Sequence, residues 1–350
     1  MAEATVETTN TTESETLLEV NNLVKHFPIQ KGFLKRTVGS VRAVDDVSFS
    51  VTQGKTLGLV GESGCGKTTT SRCILRAIDP TSGQILFRKE DGETVDVSTM
   101  PYQPLRDLRR DMQMIFQDPY GSLNPRMSLF DIVGEPLLVH GMKSSSERAD
   151  RVAELLRLVG LRPEYMRRFP HAFSGGERQR IGIARALALN PRLVVADEPV
   201  SALDVSVQAQ VINLLQEIQE SLNLTYLFVA HDLSVVRHIA DEVAVMYVGK
   251  IVELGDTEKI FANPKHPYTS ALLSSVPIPD PSVRQDRIIL QGEVANPANP
   301  PSGCYFHPRC EYATDQCKTE EPQLELIDEG RWVSCHRAKD LDLTGLSAKI

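Results

Sequence analysis

Long apolar runs are missing from this sequence: none approaches the ~18–20 consecutive residues that a transmembrane helix requires. The first 16 residues contain neither the basic nor the apolar stretch of a secretory signal peptide, and they are rich in Thr and Glu. We therefore expect a cytosolic chain with a disordered lead over residues 1–16. Positive charge is also scarce, with 38 Lys and Arg against 46 Asp and Glu and a net charge of −8. This deficit argues against a nucleic-acid partner, because such proteins usually present a basic face.

The composition is that of a globular protein, with 41% hydrophobic and 24% charged residues. Strand–helix alternation over residues 50–250 predicts an α/β fold. Apolar stripes at helical spacing predict helices over residues 152–159 and 207–222. The basic stretch 31–40 is expected to be an exposed loop between two early strands, and the Pro-rich segment near Ile278–Pro281 to be a linker. Four short apolar runs are typical of strands buried on both faces of a parallel sheet: Thr56–Val60, Gln113–Phe116, Leu193–Ala196 and Tyr226–Ala230.

A glycine-rich segment follows the first of these runs and opens a helix predicted to reach about Ile78. It has the pattern G-x-x-x-x-G-K-[ST], in which backbone N–H groups surround a phosphate at a helix N-terminus. Lys67 can reach the β- and γ-phosphates, and the Thr68 hydroxyl can bind Mg²⁺. The residues expected to bind ATP here are Gly61, Ser63, Gly64, Cys65, Gly66, Lys67, Thr68 and Thr69.

Two adjacent acids, Asp197 and Glu198, end a buried apolar run, where uncompensated carboxylates are costly. Beside a phosphate-binding loop, Asp197 is predicted to hold Mg²⁺ and Glu198 to polarise the attacking water. His231 and Gln117 follow other predicted strands, so they belong to the same carboxyl edge of the sheet. Gln117 is expected to sense Mg²⁺ or water there.

A second phosphate-binding pattern lies at Ser174, Gly175, Gly176 and Glu177, again at a predicted helix N-terminus. One nucleotide does not need two such devices. The simple resolution is a head-to-tail dimer, in which this segment of one chain covers the nucleotide on the glycine-rich loop of the other. Asp204 is the predicted N-cap of the following helix.

Taken together, these motifs resemble the ATP-binding subunit of an ABC transporter over roughly residues 18–280. The resemblance implies a P-loop NTPase fold with a RecA-like core. It places Walker A at Gly61–Thr68, Walker B at Leu193–Glu198 and the switch histidine at His231. It also assigns Gln117 to the Q-loop, Ser174–Glu177 to the signature, Ser201–Asp204 to the D-loop and Phe27 to adenine stacking. The signature departs from the usual pattern at Phe173 and Glu177, which leaves the serine and the glycines in place.

Two further segments, 117–126 and 263–277, resemble oligopeptide and dipeptide importer ATPases. That subclass implies a nucleotide-binding domain over 17–255, with a helical subdomain at about 120–180, and a C-terminal extension over 256–350. It further implies two membrane-spanning permease subunits, a sister ATPase subunit and an extracytoplasmic peptide-binding protein, at the cytoplasmic face of the plasma membrane. An importer of another solute such as nickel or a sugar, a soluble ABC-type ATPase and a redox sensor are the alternatives.

Four cysteines in the last 50 residues, Cys304, Cys310, Cys317 and Cys335, have the spacing C-x5-C-x6-C-x17-C. Clustered cysteines in a cytosolic protein are typical of metal sites. Four thiolates suit an iron–sulfur cluster, whereas the absence of C-x2-C pairs weakens a zinc site in which His307 or His336 replaces a cysteine. The resemblance favours a [4Fe–4S] cluster, and zinc or no metal remain open.

Overall fold

The computed structural model describes residues 16–32, 36–277 and 287–346. The predicted lead therefore lies outside the described residues except for Thr16, as does the predicted linker at Ile278–Pro281. The strands are β1 Thr16–Lys31, β2 Arg36–Thr52, β3 Thr56–Val60, β4 Ser82–Arg88, β5 Thr94–Asp96, β6 Met112–Ile115, β7 Leu193–Asp197, β8 Thr225–Ala230, β9 Glu242–Tyr247, β10 Lys250–Asp256, β11 Glu325–Asp328 and β12 Arg331–Val333. The helices are α1 Lys67–Ile74, α2 Tyr102–Leu108, α3 Leu129–Val139, α4 Ser145–Leu158, α5 Gly175–Ala186, α6 Val205–Leu222, α7 Leu233–Ile239, α8 Thr257–Ala262, α9 Pro267–Ser274 and α10 Asp315–Thr319.

The central sheet has the strand order β11-β12-β10-β9-β3-β8-β7-β6, and its pairs from β9 to β6 are parallel. The four predicted apolar strands are confirmed within a residue or so of the expected bounds. Every residue of β3, β7 and β8 is buried, as expected for strands covered on both faces. The predicted α/β fold class is confirmed.

Alternating side chains of the parallel strands divide the core in two. Leu57 and Leu59 of β3 pack on the side of β1, β2 and α1, whereas Val60 joins the layer that contains α3 to α6. This arrangement directs the carboxyl ends of β3, β6, β7 and β8 to a single edge, and the loops that follow them carry the polar motifs of the sequence.

Two local expectations are wrong. Arg36–Ser40 belongs to β2 and pairs with β1, for example Pro28 with Ser40 and Lys31 with Arg36, so the described part of the basic stretch outside residue 32 is strand; residues 33–35 lie outside the described residues. Helix α1 ends at Ile74 and does not reach Ile78. Arg76 adopts a left-handed conformation with φ +51°, which stops the helix.

The C-terminal part of the chain, residues 257–277 and 287–346, is called the tail below and extends the central sheet. Its strand β12 pairs with β10 antiparallel, Glu253 opposite Val333. The Arg331 guanidinium lies 2.6 Å from a Glu253 carboxylate oxygen, and both side chains are almost wholly buried. A buried ion pair of this kind is strongly destabilising to break from one side, so it fastens the tail to the sheet.

Across residues 16–32, 36–277 and 287–346, no helix combines the length and the apolar character needed to cross a bilayer.

Candidate functional site

The glycine-rich loop runs from β3 into α1, with Gly66 at the helix N-cap. Gly66 has φ +114°, and a Cβ there would stand 2.1 Å from the carbonyl oxygen of Ala43, so only glycine fits. The Lys67 ammonium is buried and donates hydrogen bonds to the carbonyl oxygens of Gly61 at 2.7 Å and Glu62 at 3.0 Å. The lysine is thus held by carbonyl oxygens of its own loop.

A pocket of about 410 Å³ opens above this loop. Besides the loop after β3, it brings together side chains that follow three other strands, β6, β7 and β8. Its lining residues are Ala43, Ser63, Gly64, Gly66, Lys67, Thr68, Thr69, Gln117, Glu198 and His231. Six of the eight loop residues expected to bind ATP therefore line this pocket, whereas Gly61 and Cys65 are not among its lining residues.

Glu198 is the centre of the polar contacts in this pocket. The Gln117 amide donates to its Oε2 at 2.9 Å, and Nδ1 of His231 lies 3.0 Å from the same oxygen. The Glu198 backbone has φ +46°, a left-handed conformation that non-glycine residues seldom adopt. Since its side chain is only 15% exposed, the carboxylate is oriented by partners and not free in solvent.

Asp197 lies at the end of β7, beneath the loop. The Thr68 hydroxyl donates to its carboxylate at 3.0 Å. Burial raises the pKa of Asp197 above its usual value, the nearby Glu198 charge raises it further, and the Thr68 hydrogen bond opposes both. A hydroxyl and a carboxylate at this separation are oxygen ligands of the kind that Mg²⁺ prefers.

The Ser174–Glu177 segment is not among the residues lining this pocket. Ser174 is the N-cap of α5, and its hydroxyl and backbone N–H both donate to the Glu177 carboxylate, at 2.8 and 2.9 Å. In this capping box, each of the two side chains accepts a hydrogen bond from the backbone N–H of the other residue, at the N-terminus of α5. A Cβ on Gly176 would lie 2.4 Å from Val207 of α6, so the segment packs closely against the helix that Asp204 caps.

Phe27 is not brought into the pocket either. It lies on β1 opposite Val41, partly exposed, with the Lys25 ammonium 4.9 Å from the ring centre. The exposed ring is therefore available at the surface, and its predicted contact with adenine stays a prediction.

The four tail cysteines line one small pocket, together with His266, His307 and His336. Burial raises the pKa of Cys304, Cys310 and Cys335 to about 11 each. The pocket's free volume is about 20 Å³, which is room for about one water molecule. Among the described residues, no three His, Cys, Asp or Glu are grouped as metal ligands. The structure therefore gives no support to the expected [4Fe–4S] cluster.

Sequence reasoning missed two neighbours of the phosphate loop. The Tyr268 hydroxyl accepts a hydrogen bond from the backbone N–H of Glu62 at 2.9 Å. Arg309 forms two hydrogen bonds with the Glu62 carboxylate, at 2.8 and 3.1 Å. The spacing of the motifs gave no sign of either contact, since both residues follow the loop by more than 200 positions.

Comparison with known proteins agrees with this geometry. A family model described as ABC transporter matches residues 44–201, and one described as oligopeptide/dipeptide transporter, C-terminal region, matches residues 252–317. The oligopeptide transport ATP-binding protein AppF of Bacillus subtilis (strain 168) is 55% identical over 325 residues, which cover 92% of this chain and 97% of that protein. The di/tripeptide transport ATP-binding protein DppF of Pseudomonas aeruginosa (strain UCBPP-PA14) is 49% identical over 325 residues, 93% of this chain and 98% of that protein.

Solved structures give the same result for the fold. The dimeric structure of MJ0796, a bacterial ABC transporter cassette, matches with a TM-score of 0.60 at 27% identity, covering 69% of this chain and 99% of that chain. A dimeric post-hydrolysis state of the same cassette, bound to ADP and Pi, matches with a TM-score of 0.59. The motif-based resemblance is confirmed: the chain belongs to the ATP-binding proteins of ABC transporters, which hydrolyse ATP to drive transport, in the branch that carries the oligopeptide/dipeptide transporter C-terminal region.

Proposed function

We propose that this chain is the ATP-hydrolysing subunit that powers import of di- or oligopeptides through a membrane ABC transporter. The observation that carries the ATPase part is the meeting of Lys67, Gln117, Glu198 and His231 in one pocket above the phosphate loop. The peptide part is supported by relatives that are peptide-transport proteins over nearly the whole chain and by the matched C-terminal region.

In the proposed reaction, the γ-phosphate of ATP draws the Lys67 ammonium away from the carbonyl oxygens of Gly61 and Glu62. The N–H groups around Gly64 and Gly66 then surround the phosphates at the start of α1. Thr68, Asp197 and Gln117 are the residues that would hold Mg²⁺, which neutralises phosphate charge when bound. The Glu198 carboxylate polarises the attacking water, and His231 steadies the γ-phosphate while keeping Glu198 in place.

We propose two composite sites at a head-to-tail dimer interface. Ser174, Gly175 and Gly176 of one chain would approach the γ-phosphate bound by the other chain. For this the Ser174 hydroxyl must turn from Glu177 to the phosphate, since the same hydroxyl donates to that carboxylate here. Asp204 would lie at the same interface, and Phe27 would stack on adenine. The second chain is proposed to be a sister ATPase subunit.

The other proposed partners are two membrane-spanning permease subunits and an extracytoplasmic peptide-binding protein. With these partners, we propose that this chain lies at the cytoplasmic face of the plasma membrane.

We propose a nucleotide-binding domain over residues 17–255, with a helical subdomain at about 120–180, and a C-terminal extension over 256–350. The helices α3, α4 and the start of α5 fall within the proposed subdomain.

The test is ATP hydrolysis by the complex reassembled from this chain, its sister ATPase, the permease subunits and the binding protein. We expect di- or oligopeptides to stimulate hydrolysis, while Ni²⁺ and sugars leave it at the basal rate. If Ni²⁺ or a sugar stimulates hydrolysis and peptides do not, the proposed peptide substrate is wrong and the ATPase proposal stands. No hydrolysis by the assembled complex under any condition would contradict both parts.

For the tail we propose that Cys304, Cys310, Cys317 and Cys335 hold a [4Fe–4S] cluster. The proposal is supported only by the donor set, four thiols lining one pocket. Iron and sulfide content of anaerobically purified protein tests it, with Cys310→Ala expected to lose the iron. Cys73→Ala, a buried cysteine in α1, is the matched control and should keep it. One zinc per chain, or no metal, would refute the cluster.

A further inference from the structure

Glu62 is the second residue of the phosphate loop, and three of its polar groups have partners. Its carbonyl oxygen accepts from Lys67 at 3.0 Å within the loop. Its backbone N–H and its carboxylate bind residues of the C-terminal part of the chain, Tyr268 and Arg309. None of the residues that line the nucleotide pocket comes from that part. Glu62 is therefore the place where the tail meets the loop.

The contact with Arg309 has the geometry of a strong interaction. Two parallel N–H···O bonds of 2.8 and 3.1 Å join the guanidinium to the carboxylate. The Arg309 side chain is 7% exposed and that of Glu62 is 27% exposed. Salt and water therefore screen this pair less than a surface ion pair. The Glu62 hydrogen bond raises the pKa of Arg309 further above its usual value, so the guanidinium stays charged.

Arg309 and Tyr268 are held by a rigid aromatic cluster. Tyr247, Tyr268 and Phe306 are fully buried, and their ring centres are 4.7 to 5.4 Å apart. The Arg309 guanidinium lies 5.8 Å from the Tyr247 ring centre. Because packed aromatic rings have few alternative rotamers, the Tyr268 hydroxyl, which accepts from Glu62, and the Arg309 guanidinium, which donates to it, are fixed in space.

We propose that Arg309 and Tyr268 are positioning residues for ATP binding: they hold Glu62, and through it the phosphate loop, in the conformation that receives the nucleotide. This inference rests on the proposed assignment of ATP to the loop. Without either contact the loop samples other conformations. Part of the free energy of nucleotide binding is then used to order the loop, so the nucleotide binds more weakly. The tail thereby becomes part of the ATP site without touching ATP, and Arg309 directly precedes Cys310 of the cysteine pocket.

A purely structural ion pair would have a different consequence. It would lower the stability of the chain when broken and leave nucleotide affinity as it was. A positioning pair raises the dissociation constant for nucleotide and KM for ATP, while kcat at saturating ATP changes little because bound nucleotide restores the loop.

The experiment measures the dissociation constant of a fluorescent ATP analogue with Mg²⁺ for the full chain, together with kcat and KM for this chain paired with its sister ATPase subunit. Wild type and Lys67→Ala establish the site first. For Arg309→Ala we expect a dissociation constant raised roughly 5- to 10-fold, for Tyr268→Phe roughly 3-fold, and for Arg309→Lys an intermediate value. All three should keep kcat within about threefold of wild type. Arg309→Lys and Tyr268→Phe keep the side-chain volume, so they carry the test if Arg309→Ala does not fold.

A double-mutant cycle gives the sharper result. Combining Arg309→Ala with Glu62→Ala should weaken binding no more than Arg309→Ala alone, because both remove the same contact. The matched control is Glu321→Gln, which breaks the ion pair with Lys250 that also joins the tail to the core, at 2.5 Å. It should leave the dissociation constant within about twofold of wild type.

The outcomes are separable. Unchanged affinity in the Arg309 and Tyr268 variants, or additive effects in the cycle, overturns the positioning role while wild-type binding preserves the proposed function. If wild type binds no nucleotide, or Lys67→Ala binds as well as wild type, the nucleotide site itself is refuted and this inference with it.

Discussion

Glu198→Gln tests the proposed chemistry with the least disturbance to the structure. The substitution keeps the shape of a side chain that is 15% exposed. The new amide oxygen can still accept from the Gln117 amide, which now donates to Oε2 at 2.9 Å. What disappears is the negative charge and the ability to take a proton from water. We therefore expect folding and nucleotide affinity close to those of wild type.

The expected loss of turnover follows from the role of a general base. Such a group contributes roughly 10²- to 10⁴-fold to the rate. At about 1.36 kcal/mol per factor of ten, this is about 2.7 to 5.4 kcal/mol in the activation free energy. Because ATP can still bind while hydrolysis is blocked, the variant should accumulate as an ATP-bound dimer.

Two assays check this prediction: phosphate release at saturating ATP and size-exclusion chromatography with ATP and Mg²⁺, both on the pair of ATPase subunits. Glu258→Gln is the matched control, since its exposed carboxylate binds Arg237 outside the pocket. Turnover within threefold of wild type would refute Glu198 as the base. Slow turnover without an ATP-dependent dimer would instead contradict the proposed closure.

Three further predictions concern the dimer and the tail. In the pair with the sister ATPase, Lys67→Ala and Ser174→Arg of this chain should each disable a different composite site, so the double variant should lose the hydrolysis that each single variant keeps; a double variant no slower than the slower single variant in a phosphate-release assay would contradict the head-to-tail arrangement. Arg331→Ala should lower the free energy of unfolding by about 3–5 kcal/mol in urea titrations, because it leaves Glu253 buried without its counter-charge; a loss below about 1 kcal/mol would show that the pair does not fasten the tail. If Cys310 is a cluster ligand, Cys310→Ala should abolish visible absorption of anaerobic protein, and an unchanged spectrum would exclude it.

The sequence was most informative where chemistry restricts the choice of residues. A phosphate loop needs glycine where a Cβ would collide, as at Gly66 beside the Ala43 carbonyl oxygen. Strands buried on both faces must be apolar throughout, so β3, β7 and β8 were recognisable as short continuous runs. With the strand ends identified, parallel pairing alone brings Gln117, Glu198 and His231 to one edge.

Long-range contacts between irregular segments had no such signature. Arg309 reaches Glu62 across 247 positions, and neither residue stands in a repeating pattern. The strand pairing of Lys31 with Arg36 was missed because basic residues are common in loops, whereas here these two belong to a two-stranded ribbon. The cysteine spacing indicated convergence but not the size of the pocket, which depends on how Phe306 and its neighbours pack.

The most direct test of the central claim is peptide accumulation in proteoliposomes that contain the complete transporter with this chain. Labelled di- or oligopeptide should accumulate only with ATP and Mg²⁺ on the side of the ATPase subunits, and Glu198→Gln in this chain should reduce the initial rate at least tenfold. Accumulation that continues without ATP, or at the wild-type rate with Glu198→Gln, would contradict the account.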